Sequence, residues 1–110
     1  MTIAMLPSGI DINYEVRGSA TGTPLVLVHG HGSRGATFDD FIPFLDDDFS
    51  ILSFDLRGHG ESGKPVGITY DEILSQYTIE QFAQDLFELI GTISFPSPFV
   101  LVEHSESLIL

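Results

Sequence analysis

The stretch Leu25-Val26-Leu27-Val28-His29-Gly30-His31-Gly32-Ser33-Arg34-Gly35 decides the fold. Four apolar residues with no polar alternation suit a strand buried on both faces, as parallel sheets require. A glycine-rich loop directly behind them is how such a strand turns over at its carboxyl end. Two further buried-type strands each lead into a distinctive loop downstream. Phe49 to Phe54 runs into Asp55-Leu56-Arg57-Gly58-His59-Gly60-Glu61-Ser62-Gly63-Lys64-Pro65, and Phe99-Val100-Leu101-Val102 runs into Glu103-His104-Ser105-Glu106-Ser107.

Ahead of the first buried strand, Ile10, Ile12, Tyr14 and Val16 alternate with Asp11, Asn13, Glu15 and Arg17, the period of a strand with one wet face. Gly18 to Pro24 form its turn. Between the buried strands the spacing predicts helices. Thr37 is placed to cap a short one with Phe38, Phe41, Ile42 and Leu45 on one face, tilted or shortened by Pro43. The run Asp46-Asp47-Asp48 reads as a solvated turn. After a loop through Tyr77, Thr78-Ile79-Glu80-Gln81 opens the strongest helix, with Ile79, Phe82, Leu86, Leu89 and Ile90 on one stripe and Gly91, Pro96 and Pro98 as its stop. Strands alternating with helices indicate an α/β fold with a mostly parallel sheet, and residues 1–110 fit a single domain.

Composition narrows the partners. Apolar residues form 43% of the 110, with nine Phe, which suits a packed core. Sixteen acidic residues against four Lys and Arg give a formal charge of −12, a surface that repels nucleic acid and anionic membranes. There is no Cys, so neither disulfides nor thiolate chemistry enter. No targeting segment is seen, and no apolar run approaches the roughly 18 residues that span a bilayer. A cytoplasmic location is the default expectation, with the oligomeric state left open.

In open parallel sheets reactive groups collect in loops at the carboxyl ends of strands. The three loops resemble, in order and spacing, the amino-terminal half of the α/β-hydrolase family: a His-Gly loop, an Asp-x-Arg-Gly-x-Gly-x-Ser loop and a nucleophile elbow. The resemblance covers the chain from Ile10 onward. It implies that Ser105 is the nucleophile and that the backbone N–H groups of His31 and Glu106 form the oxyanion hole. It gives Asp55 to Ser62 a structural role. The implied chemistry is hydrolysis of esters or related small acyl substrates, with no organic cofactor and no metal. A Ser at the elbow argues against the branches that use a carboxylate nucleophile.

The elbow departs from the family's G-x-S-x-G pattern at both ends, reading Glu103-His104-Ser105-Glu106-Ser107. In this fold the base and its orienting carboxylate follow the elbow in chain order, whereas five residues follow Ser105 here. The sequence is therefore expected to be a hydrolase fragment, cut after the elbow strand and inactive by itself. The alternative is a non-catalytic protein derived from a hydrolase. Two further readings compete less well. G-x-G-x-x-G occurs as Gly30 to Gly35 and as Gly58 to Gly63, the first trailed by Asp55 in the manner of a dinucleotide site. His29-x-His31 could begin a zinc site, but no nearby Cys or Asp-His pair completes the set. With Phe99 to Val102 left as an apolar edge, the chain is also expected to be poorly soluble or partly unfolded.

Overall fold

The computed structural model describes residues 2–30, 32–45, 47–67 and 69–104. Its strands are β1 (Thr2–Met5), β2 (Asp11–Gly18), β3 (Thr23–Val28), β4 (Phe49–Phe54) and β5 (Val100–Glu103). Two short 3₁₀ turns, Gly35–Phe38 and Ile42–Phe44, join β3 to β4, while α1 (Tyr70–Leu74) and α2 (Ile79–Ile93) precede β5. The strands form one sheet in the order β1-β2-β4-β3-β5. β4, β3 and β5 run parallel, and β2 and β1 extend the sheet antiparallel. The α/β class holds, with a mixed sheet whose parallel part is the half carrying the three glycine-rich or elbow loops.

The sheet separates two cores. On one face Val26, Val28, Leu52 and Phe54 meet Phe82, Leu86 and Leu89 of α2. On the other, Leu25, Leu27 and Ile51 meet Phe38 and Ile42 of the 3₁₀ turns. Burial on both sides explains why β3 reads as an unbroken apolar run and why even the two serines of β4, Ser50 and Ser53, are buried. α2 starts as its sequence indicates, with the Thr78 hydroxyl accepting from the Gln81 N–H at 3.1 Å.

Other expectations needed correction. The helix proposed at Thr37 is instead the pair of 3₁₀ turns, with Arg34 rather than Thr37 at the start and no side-chain cap. Pro43 sits in the second turn, and of the proposed face Phe38 and Ile42 are buried and Leu45 half-buried, while Phe41 faces outward. Gly91 does not end α2, which runs two residues further and is closed by Ser94 in the left-handed region at φ 56°. Ile79 lies off the buried stripe.

β5 pairs with β3 on one side and is the sheet edge on the other, with Val100 48% and Val102 38% exposed. Unpaired backbone beside exposed β-branched side chains is a template for intermolecular pairing. Val100→Lys should therefore raise the concentration at which the chain stays monomeric in light scattering, with little change in thermal midpoint. An unchanged aggregation threshold would show that this edge is not the sticky surface.

Among the described residues no helix is long and apolar enough to cross a membrane.

Candidate active site

Register brings the three loops together. Val28 pairs with Phe54 on one side and with Glu103 on the other. The chain segments starting at His29, Asp55 and His104 therefore leave the sheet at one level, and the His104 N–H continues the ladder to the Val28 carbonyl at 2.9 Å. The carboxyl ends of three adjacent parallel strands thus share one rim. The proposed nucleophile Ser105 and both proposed oxyanion donors, His31 and Glu106, lie outside the described residues. Gly30 and Gly32 beside His31, and His104 before Ser105, are described, and the chemistry of the rim can be read from them.

The loop after β4 is held by a dense set of hydrogen bonds. Asp55, 4% exposed, accepts from the Gly35 N–H at 2.6 Å, the Glu61 N–H at 2.9 Å and the Asn13 side-chain amide at 3.0 Å. Burial by itself raises its pKa, but these three donors outweigh burial and hold the carboxyl below its ordinary value of 3.8. The Ser62 hydroxyl donates to the Asp55 carbonyl at 2.6 Å and accepts from the Asn13 N–H at 2.9 Å, tying the loop to β2. Arg57 grips Asp85 of α2 through two bonds of 2.6 and 2.8 Å. Gly58 and Gly60 both have positive φ, 75° and 50°, and a methyl group on either would run into the Tyr77 ring or the Asp55 carboxylate respectively. Each fixed position of the Asp-x-Arg-Gly-x-Gly-x-Ser pattern thus has a structural use.

The histidines on the rim are committed as well. The Leu56 N–H donates to His29 Nε2 at 2.9 Å, so that nitrogen carries no proton and Nδ1–H donates to the Gly30 carbonyl at 2.7 Å. By the same logic His59 Nε2 accepts from the Gly32 N–H at 2.9 Å, and its Nδ1–H donates to the Arg57 carbonyl at 2.9 Å. Neither ring is set up as a general base. The His29-x-His31 zinc reading fails at His29, whose two nitrogens are both engaged.

The dinucleotide reading fails on the same loops. Gly30 to Gly35 opens a four-residue 3₁₀ turn rather than a helix whose N-terminus could take a pyrophosphate. The Gly35 amide and the Asp55 carboxylate, the two groups such a site would offer its ligand, are bonded to each other.

A cavity of about 310 Å³ adjoins the elbow, lined by Thr37, Phe38, Phe41, Val102, Glu103 and His104. The His104 ring meets the edge of Phe38 at 6.4 Å. A second cavity, about 300 Å³, lies between β2, β4 and the first 3₁₀ turn, among Asn13, Arg34, Asp39 and Asp55. That one lies on the far side of β4 from the elbow strand.

Comparison with known proteins decides the family. The model of the alpha/beta hydrolase family matches residues 25–105, from the first buried strand through the elbow. This chain belongs to that family. It is 34% identical over 98 residues to the probable oxidoreductase EphD of Mycobacterium tuberculosis, an alignment covering 89% of this chain and 16% of the relative. It is 35% identical to the fluoroacetate dehalogenase of a Burkholderia species, covering 86% of the chain and 29% of the relative. Among solved structures, a putative acyltransferase from Salmonella enterica superposes with a TM-score of 0.82 at 33% identity, over 96% of this chain and 33% of the other. Other matching proteins bear the names of esterase, enol-lactonase and epoxide hydrolase. The chain thus spans about a third or less of these relatives' lengths.

Two site-supporting residues were not found from sequence. Asp85 was passed over as a helix residue, although an Asp at the i+3 position from Phe82 and i−4 from Leu89 stands on the buried stripe. Asn13 reads as a wet-face residue of β2, and nothing local marks it as an Asp55 partner.

Proposed function

We propose that this chain supplies the nucleophile and oxyanion loops of a serine hydrolase acting on esters or related small acyl substrates. The observation carrying this reading is the shared rim: the strands before His29, Asp55 and His104 end in register, one step from Ser105 in the chain. Ser105 attacks the acyl carbon, and the N–H groups of His31 and Glu106 take the developing oxyanion. The apolar cavity beside Glu103 and His104 suits the hydrocarbon part of such a substrate. Since His29 and His59 are bound up in the loops, the reading assigns the base and its carboxylate to polypeptide that follows the elbow.

A fluorophosphonate probe tests this reading. With imidazole added to stand in for the base, the expected result is slow labelling of the 110-residue chain, lost in Ser105→Ala, with no turnover of p-nitrophenyl acetate above background. Labelling that survives Ser105→Ala sinks the assignment. A complete lack of labelling favours the non-catalytic reading, to which the exposed β5 edge would then lend itself as a binding surface.

A further inference from the structure

We propose that His59 is the positioning residue for the loop that carries His31, acting through a hydrogen bond that only its proton-free Nε2 can accept. The catalytic meaning of this inference rests on the serine-hydrolase reading above; the bond itself does not.

The two ends of the loop after β3 are held at His29 and Gly35, the latter by Asp55. The Ser33 N–H closes a turn onto the Gly30 carbonyl at 3.0 Å, and Gly32 within it has φ 84° with, among the described residues, nothing inside 4 Å of the position a Cβ would take. Packing therefore does not fix this glycine, and its conformation is one that most residues avoid. What reaches it is His59 Nε2, at 2.9 Å from the Gly32 nitrogen. The Gly32 N–H belongs to the peptide that follows His31. The bond thus fixes the plane adjoining the residue whose own N–H is the proposed oxyanion donor.

His59 is suited to this by its own anchoring. It is 9% exposed, and its ring lies 5.1 Å from the His29 ring and 6.4 Å from that of Phe82. Its Nδ1–H is spent on the Arg57 carbonyl, and the Arg57 side chain is clamped to Asp85. One connected path therefore runs from α2 through Arg57 and His59 to Gly32. An oxyanion donor works only if it is aimed before the charge develops, and small misplacements cost large factors in rate.

The test uses the full chain labelled with ¹⁵N. In the wild type, His59 should show the Nδ1–H tautomer, with Nε2 unprotonated, and the Gly32 amide should exchange slowly. His59→Phe keeps a ring against His29 and Phe82 but removes the acceptor. Gly32 exchange should then accelerate at least about tenfold, while the Gly35 amide bonded to Asp55 keeps its protection, and fluorophosphonate labelling of Ser105 should slow about tenfold or more. Gly32 exchange unchanged in His59→Phe, or a protonated Nε2 in the wild type, overturns the bond. Labelling at the wild-type rate despite a freed Gly32 overturns the positioning role. A wild type that is never labelled yet shows the Gly32 signature overturns the hydrolase reading and leaves the His59–Gly32 link standing.

Discussion

Asp85→Ala should cost on the order of 3–5 kcal/mol of stability, enough to unfold much of the chain. Asp85 is 1% exposed and Arg57 5%, and their paired bonds of 2.6 and 2.8 Å are joined by the Gln81 amide, which donates to Asp85 at 3.1 Å. Removing the carboxylate strands a guanidinium in the core, and an uncompensated buried charge is far more costly than the pair was favourable. Replacing both partners by apolar residues of similar size, Arg57→Met with Asp85→Leu, should therefore lose much less than either single change. Urea unfolding followed by far-UV circular dichroism would measure all four corners of this cycle. An Asp85→Ala chain within about 1 kcal/mol of wild type would mean that Arg57 escapes to water, and that α2 is not tied to the β4 loop in the way described.

The difference between Asp85 and the apolar residues around it shows what sequence can and cannot convey. The first parallel strand was legible because burial on both faces leaves an unbroken apolar run, Leu25 to Val28. α2 was legible through its apolar stripe and its Thr78 cap. β1 was not, because its inward face amounts to Ala4 in a four-residue strand whose Ile3 and Met5 face outward. α1 buries none of its five residues, so it has no stripe to read; its one signal is the Thr69 hydroxyl accepting from the Glu72 N–H. The segment after Gly35 has enough apolar residues for a helix, yet Pro43 and the need to lay Phe38 and Ile42 on the sheet divide it into two turns.

For the site, the loop patterns were legible and the partners were not. Asp55 to Ser62 stood out as a motif, but the reasons for it lie 28 and 42 residues away, at Asp85 and Asn13. Local sequence marks a residue as special without naming what it touches. His59 is the sharpest example. The motif leaves its position variable, whereas the structure gives it the bond to Gly32.

Asp55→Asn should remove a pH-dependent share of stability that the wild type carries. The wild-type carboxylate satisfies three donors from three separate segments, and its pKa is held below 3.8 because those donors outweigh the opposing effect of burial. A group whose folded pKa is depressed binds its proton more readily in the unfolded chain. Its contribution is therefore complete above 3.8 and disappears as pH falls through the lower folded value. Asn keeps one carbonyl oxygen but turns an NH₂ toward donors that need acceptors, so at neutral pH the substitution should cost on the order of 3 kcal/mol. The gap between wild type and Asp55→Asn, taken from urea midpoints at a constant m-value, should be widest at neutral pH and narrow on acidification below 3.8, as the wild-type group itself becomes protonated. A gap that stays constant through that range would mean the carboxylate titrates alike in both states. The convergence of Gly35, Glu61 and Asn13 on Asp55 would then be geometric only, and the rim would owe its order to the Arg57–Asp85 clamp and the His59 bond instead.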